Sequence, residues 1–232
     1  MSIVTYSQLG RNGRLGNQMF QIAATISYGL DYGKRAVFPK WEYNRFMHYQ
    51  LSEGDVPYAV RHQEPAFTYT ELPNIESDVD LNGYFQSEKY FENYKEHIRR
   101  IFRLSTEHWK IVNEWFMNRS IDSNLGLTTC SIHVRRGDYE ANAHTKHFHG
   151  LLDMSYYHAA IHSLPEKPSQ IIFFIVSDDP AWCKDNFSWL PNVVISNNSE
   201  IMDLYVQSFC KWNIIANSSF SWWGQWLNNN PN

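Results

Sequence analysis

The spacing of apolar residues changes repeatedly along the chain, and each change marks an element. Ile3 to Tyr6 is a short strand candidate, followed by the polar turn from Gln8 to Gly13. From Gly13-Arg14-Leu15-Gly16-Asn17-Gln18 a helix opens, because Met19, Ile22, Ala23, Ile26 and Leu30 recur at intervals of three and four. Gly33 ends it, and Arg35 to Pro39 reads as the next strand. Positions 41–74 are polar and aromatic, with Pro57, Pro65 and Pro73 opposing helix, so the expectation there is loops. Val79 to Phe85 is a strand candidate. Glu88 to Phe102 has the pattern of one amphipathic helix, with Tyr90, Phe91, Tyr94, Ile98 and Ile101 facing inward. A second helix is expected from His108 to Met117. The polar stretch 118–126 reads as a linker, which puts a domain boundary between 125 and 126.

Beyond that linker the alternation becomes regular. A β-branched run gives a strand over 128–134, and helix follows near Ser155 to Leu164. Strands at Gln170 to Val176, Asn192 to Ile195 and Asn213 to Ala216 alternate with helices at Pro180 to Phe187, Glu200 to Cys210 and Phe220 to Leu227. Strands separated by helices give a parallel sheet covered on both faces, with ligands at the carboxyl ends of the strands. The fold class is therefore α/β, Rossmann-like over 126–232. The loops after His133, Ser177 and at Asn217 are expected to meet at one crevice.

Composition narrows the chemistry. With 232 residues and 43% hydrophobic content the chain can bury one large or two small cores. A net charge of -4 and a pI near 6.2, with basic residues only in pairs such as Arg99-Arg100, argue against a nucleic-acid binder. Cys130, Cys183 and Cys210 are few and far apart, which suits reduced core thiols. No apolar run approaches membrane-spanning length and nothing at the start of the chain resembles a signal peptide, so the expectation is a soluble cytoplasmic protein; the sequons at Asn118, Asn186, Asn197 and Asn217 then carry no weight.

Against that mildly acidic background, His133-Val-Arg-Arg-Gly-Asp-Tyr139 stands out. Two guanidinium forks at a strand end, with Gly137 allowing close backbone approach, suit a diphosphate. The plain alternative is a solvated pair with Asp138 as its ion partner. Ser177-Asp178-Asp179-Pro180 puts two carboxylates at another strand end, where they can accept from guanine N–H groups or simply cap the next helix. Asn217-Ser218-Ser219-Phe220-Ser221-Trp222-Trp223 places small hydroxyl residues at a helix start, suited to phosphate, with the tryptophans packing the helix. The glycine loop at 13–18 is a weaker anion-site signal, equally readable as a βα turn with Asn17 as N-cap. Asp78-Val79-Asp80 and the cluster His144, His147 and His149 have metal-like spacing, but a metal role is disfavoured for both.

Taken in order, the motifs 13–18, 133–139, 177–179 and 217–223 resemble those of the GDP-fucose-dependent α-1,2-fucosyltransferases of glycosyltransferase family 11. The resemblance implies a GT-B-type enzyme with two Rossmann-like halves, 1–125 on the acceptor side and reduced, 126–232 holding the donor. It implies inverting transfer of L-fucose from GDP-fucose to the 2-hydroxyl of a terminal β-galactoside on an oligosaccharide, without metal or other cofactor. Arg135 and Arg136 would clamp the β-phosphate, Asp178 or Asp179 would face guanine, and Ser218 and Ser219 would hold the diphosphate, with His133, Asn217 and Phe220 beside them. Arg14 and Asn17 would reach in from the first half. The proton acceptor would be Asp138 or a residue of the histidine loop. Two other readings are a fucosyltransferase of different linkage and a non-catalytic glycan- or GDP-binding module.

Overall fold

The computed structural model describes residues 1–120, 126–137 and 152–228. The chain forms two compact units, Met1–Trp109 and Lys110–Asn232, each built around its own parallel four-stranded sheet.

In the first unit β1 (Ile3–Thr5), β2 (Arg35–Val37), β3 (Val60–Gln63) and β4 (Val79–Asn82) lie in the order β2-β1-β4-β3. Helix α1 (Leu15–Asp31) links β1 to β2, and Met19, Ile22, Ala23 and Ile26 on it are buried as their spacing requires. Met19, Ile22 and Ile26 each stabilise the unit by about 1.5–3 kcal/mol when fully removed from water. Leu30, expected in the same stripe, is exposed, although Gly29 beside it still packs against Val4 of β1.

Two expectations fail here for identifiable reasons. Strand β3 lies where loops were expected: it is an edge strand paired only with β4, and Val60, Arg61 and Gln63 are exposed, so it carries no alternating apolar signal. The single helix expected over 88–102 is two 3-10 turns, Glu88–Tyr90 and Glu92–Tyr94, and then α2 (Lys95–Ile101). Consecutive Tyr90 and Phe91 are both buried but against different partners, Phe85 and Phe20 respectively. One face of a regular helix cannot serve both, and Phe91 leaves helical geometry at φ −142°, ψ 16°.

Helix α3 (Thr106–Ser120) spans the division of the chain. Its second half carries Phe116, which stacks on Phe174 at 4.8 Å and 27°. That packing attaches it to the second sheet, so the compact units divide between Trp109 and Lys110, upstream of the 118–126 stretch read as a linker.

In the second unit β5 (Thr128–Val134), β6 (Ile171–Ser177), β7 (Val193–Ile195) and β8 (Trp212–Ile214) take the order β7-β6-β5-β8, all neighbours parallel. Helices α4 (Met154–His162), α5 (Pro180–Asn186), α6 (Glu200–Phe209) and α7 (Ser219–Trp226) follow the sequence expectation within two residues at either end. The core joins Ile132, Val134, Phe173 and Ile175 of the sheet to Tyr157 and Ile161 of α4. Cys130, Cys183 and Cys210 are free, buried thiols. Among the described residues no helix is long and apolar enough to cross a membrane.

The order of strands positions the site. From β5 the chain moves outward through β6 to β7, then returns to place β8 on the other side of β5. The strand order thus switches direction between β5 and β8, and the carboxyl ends of strands at such a switch are where α/β sheets place their ligands.

Candidate active site

At the end of β5 the chain gives Arg135, Arg136 and Gly137; at the end of its neighbour β6 it gives Ser177, Asp178 and Asp179. The two segments interlock. Arg135 Nη1 lies 2.7 Å from Asp178 Oδ2, and Arg136 Nε lies 3.3 Å from Asp179 Oδ2. Asp178 Oδ1 also accepts the backbone N–H groups of Arg136, at 2.9 Å, and Gly137, at 3.1 Å. One carboxylate thus holds both the first guanidinium and the loop carrying the second. A Cβ at Gly137 would stand 2.8 Å from Asp178 Oδ2, which is why this position has no side chain. Burial pushes the Asp178 carboxyl upward, but the two N–H donors and the Arg135 charge outweigh it and bring it below the ordinary carboxylate value.

Asp179 does two jobs as well. Its Oδ1 accepts from Trp182 N at 3.1 Å, capping α5, while its Oδ2 meets Arg136. Trp182, on the first turn so capped, lies beneath the Arg136 guanidinium at 4.1 Å from ring centroid to Cζ. The arginine side chains are only 15% and 13% exposed, so they are held in place and partly shielded from water, where a fixed charge acts most strongly. The acid expected beside the arginines in the plain reading was Asp138; the one found is Asp178. Asp138 and the histidines at 144, 147 and 149 lie outside the described residues.

His133, near the end of β5, is buried, with its ring 5.2 Å from that of Phe220 at the start of α7. Its backbone carbonyl accepts from Tyr157 Oη at 3.3 Å, and its Nδ1 is buried without a hydrogen bond among the described residues. Burial first, and the Arg135 charge second, push the imidazole down to about 3, with Asp178 opposing. It is neutral at physiological pH and too weak a base to take a proton there.

The third exit, after β8, leads through Ala216 and Asn217 to Ser218, which caps α7 by accepting from Phe220 N at 3.3 Å. Ser221, fully buried, ties the turn down by donating to the carbonyls of Ala216 and Ser218, each at 3.2 Å. Ser219 begins the helix, and buried Trp223 packs it, as its place behind the serines suggested. Through Asp178 and through the His133–Phe220 contact, three of the four sequence motifs are contiguous in one unit. Trp182 was missed; the available signal was its position three residues after a capping Asp, where it must point back along the helix toward the strand end.

The remaining motif belongs to the first unit. Arg14 is the N-cap residue of α1, without a side-chain cap, so Asn17 is not the cap the alternative reading supposed. Asn17 instead accepts from Gln86 Nε2 at 2.6 Å, and Gly13, at φ +84°, passes so close to it that a Cβ would overlap its side chain. The D-x-D carboxylates are wired into the sheet: Asp78 accepts from Ile3 N at 2.7 Å, and Asp80 from Ser7 N at 2.8 Å, Ser7 Oγ at 2.7 Å and Arg61 Nη2 at 3.2 Å. Among the described residues no three His, Cys, Asp or Glu side chains form a metal-binding group.

Comparison with known proteins fits this architecture. The family model for glycosyl transferase family 11 matches residues 7–232. The chain is 30% identical to the O-antigen biosynthesis glycosyltransferase WbnK of Escherichia coli, over 94% of this chain and 88% of that protein. It is 36% identical to an α-1,2-colitosyltransferase of Escherichia coli over 67% of this chain and 53% of the relative. Among solved structures, the α-1,6-fucosyltransferase NodZ of Bradyrhizobium, co-crystallized with GDP, superposes with a TM-score of 0.62 at 14% identity, over 97% of this chain and 91% of that one. The fold is thus α/β of the GT-B type.

Proposed function

The chain belongs to glycosyltransferase family 11, and from that premise we propose that it transfers L-fucose from GDP-fucose to the 2-hydroxyl of a terminal β-galactoside, with inversion and without a metal. The observation that carries this reading is the pair of guanidinium groups at the β5 exit, each fixed by its own carboxylate from β6. Cleavage of the glycosyl–phosphate bond develops positive charge on the sugar and additional negative charge on the departing diphosphate. Charges already in position there stabilise the transition state more than the ground state, since no solvent has to reorganise. The N-terminus of α7, with Ser218 and Ser219, supplies N–H and O–H donors to the same phosphates.

This assignment changes the task of the two acids. Asp178 and Asp179 orient Arg135 and Arg136 rather than meeting the base alone, and recognition of guanine falls to whatever acceptor capacity they retain. Because the arginines supply the charge that a divalent ion supplies elsewhere, and because Asp78 and Asp80 are engaged by the sheet, chelation should leave transfer unaffected. The acceptor hydroxyl still needs a base. His133 is unfit for it, and the proposed proton acceptors are Asp138 and the histidine loop. The O-antigen role named for WbnK supports a cytoplasmic bacterial-type enzyme.

The test is incubation with GDP-fucose and lactose in the presence of chelator, which should release GDP and give 2'-fucosyllactose; absence of transfer to every β-galactoside tried would refute it. A second reading, transfer of colitose in the same linkage, is favoured by the 36% identical relative named for that activity. Competition between GDP-fucose and GDP-colitose for a limiting acceptor separates the two.

A further inference from the structure

The first unit holds a cleft of about 330 Å³ that takes no part in the chemistry above. It lies along the second half of α1, at Tyr28, Asp31 and Tyr32, and is closed by segment 69–72 and by the turns at 89–94. Since α1 begins at the carboxyl end of β1 and runs toward β2, this cleft lies at the opposite edge of the sheet from Arg14 and Asn17.

Its walls are tyrosines anchored through their hydroxyls. Tyr28 Oη donates to the Pro73 carbonyl at 3.0 Å and accepts from Ile75 N at 3.0 Å. Tyr32 Oη donates to the Leu72 carbonyl at 2.6 Å, and Tyr94 Oη donates to Asp31 Oδ1 at 2.7 Å. These bonds strap the 69–75 segment to the helix, so the rings are in place before a ligand arrives. A phenol that has given its hydrogen to the protein still offers its oxygen as an acceptor. With the carboxylates of Asp31, Glu71 and Glu92, the cleft is rich in acceptors over aromatic faces.

The charge of the lining discriminates among ligands. Three carboxylates against the single ammonium of Lys89 repel phosphates and nucleotides, the reverse of the arginine site. A cationic ligand would compete with Lys89, whose Nζ already stands 5.7 Å above the Tyr69 ring. What remains is a neutral molecule with many O–H donors and apolar C–H faces. We propose that this cleft is a second carbohydrate-binding site, taking one or two neutral sugar residues, separate from the site of transfer. The volume lies at the lower end of the range for small-ligand pockets, in keeping with a ligand of that size.

The inference does not depend on the transferase reading, and its test does not use turnover. The intact protein, labelled with 3-fluorotyrosine, is titrated with lactose in the presence of saturating GDP and followed by fluorine NMR. Tyrosine signals are assigned by single Tyr→Phe variants. Saturable shifts are expected at Tyr32, Tyr69 and Tyr94. Tyr69→Ala and Glu71→Ala alter exposed side chains, so the fold should survive, and each should weaken the lactose constant by about tenfold. Absence of shifts at these tyrosines with lactose, maltose and N-acetyllactosamine would overturn the proposal. So would shifts elicited by choline and by none of the sugars, which would make the cleft a cation cage, or an unchanged lactose constant in both variants.

Discussion

The two sheets share a wiring principle and differ in what it presents. In each, the first and fourth strands are neighbours, β1 with β4 and β5 with β8, so each has a crevice where the chain reverses its course. In the first unit the exit of β1 carries Ser7, which bonds Asp80 within β4, and that carboxylate is neutralised by Arg61 of β3. In the second the exit of β5 carries two arginines, each held by a carboxylate from the end of the neighbouring strand. Topology creates the crevice; residue type decides its charge. Of these two sets, the second is the one expected to meet a diphosphate, because its guanidinium groups stand at the strand ends.

Substitutions should separate the two crevices by size of effect. Arg135→Ala and Arg136→Ala should each lower kcat/KM for fucosyl transfer by about 10²–10³-fold, on the order of 3 kcal/mol, with the fold retained. Arg61→Ala, the counterpart in the first unit, should change transfer by less than about threefold, because Arg61 is a half-exposed ion pair. Equal losses at Arg61 and Arg135 would erase the distinction.

Next in size is the orienting acid. Asp178→Ala should unfold the protein more easily by about 2–3 kcal/mol, since it removes the carboxylate that pairs a largely buried guanidinium and accepts from two N–H groups, and should lower turnover with it. Urea titration beside transfer kinetics would show it; an unaltered midpoint would mean that Asp178 holds nothing. Gly137→Ala presses on the same carboxylate and should cost about 1–2 kcal/mol by the same measurement.

A smaller effect appears in pH dependence. His133 is held neutral down to about pH 3 when folded but protonates near 6.5 when unfolded. The unfolded state therefore binds the extra proton, and His133 makes stability fall as pH drops from 6.5 toward 3. Asp203, raised by burial to about 6 against hydrogen bonds from Ser196 and Asn198, has the opposite sign: stability falls as pH rises from 3.8 through 6. The two partly cancel between pH 4 and 6. Asp203→Asn should uncover a steeper loss on acidification and His133→Phe should remove it; parallel stability–pH curves for both variants would contradict this.

The legibility of the molecule in its sequence follows from burial. Strands β5 and β6 are seven-residue runs buried on both faces, and α1 shows its helical period because a sheet lies along one side of it. β3 escaped detection because an exposed edge strand leaves no hydrophobic trace, and the 88–102 segment misled because two adjacent buried rings imitate a helical stripe. At the site, the arginines and acids were readable as residue types on successive strand ends. The pairing of Arg135 with Asp178, and of Arg136 with both Asp179 and Trp182, was not, since it depends on the register that sets Val134 beside Ser177. Family resemblance supplied what local pattern could not, namely that the four motifs belong to one enzyme.

The central claim is that the arginines act on the departing diphosphate as charge develops, beyond helping the donor to bind. Single-turnover transfer to lactose at saturating GDP-fucose isolates that step for Arg135→Ala and Arg136→Ala. A loss of about 100-fold that persists at saturation is the predicted result; recovery of the wild-type rate once donor saturates would show that the arginines serve binding alone, and would contradict the claim.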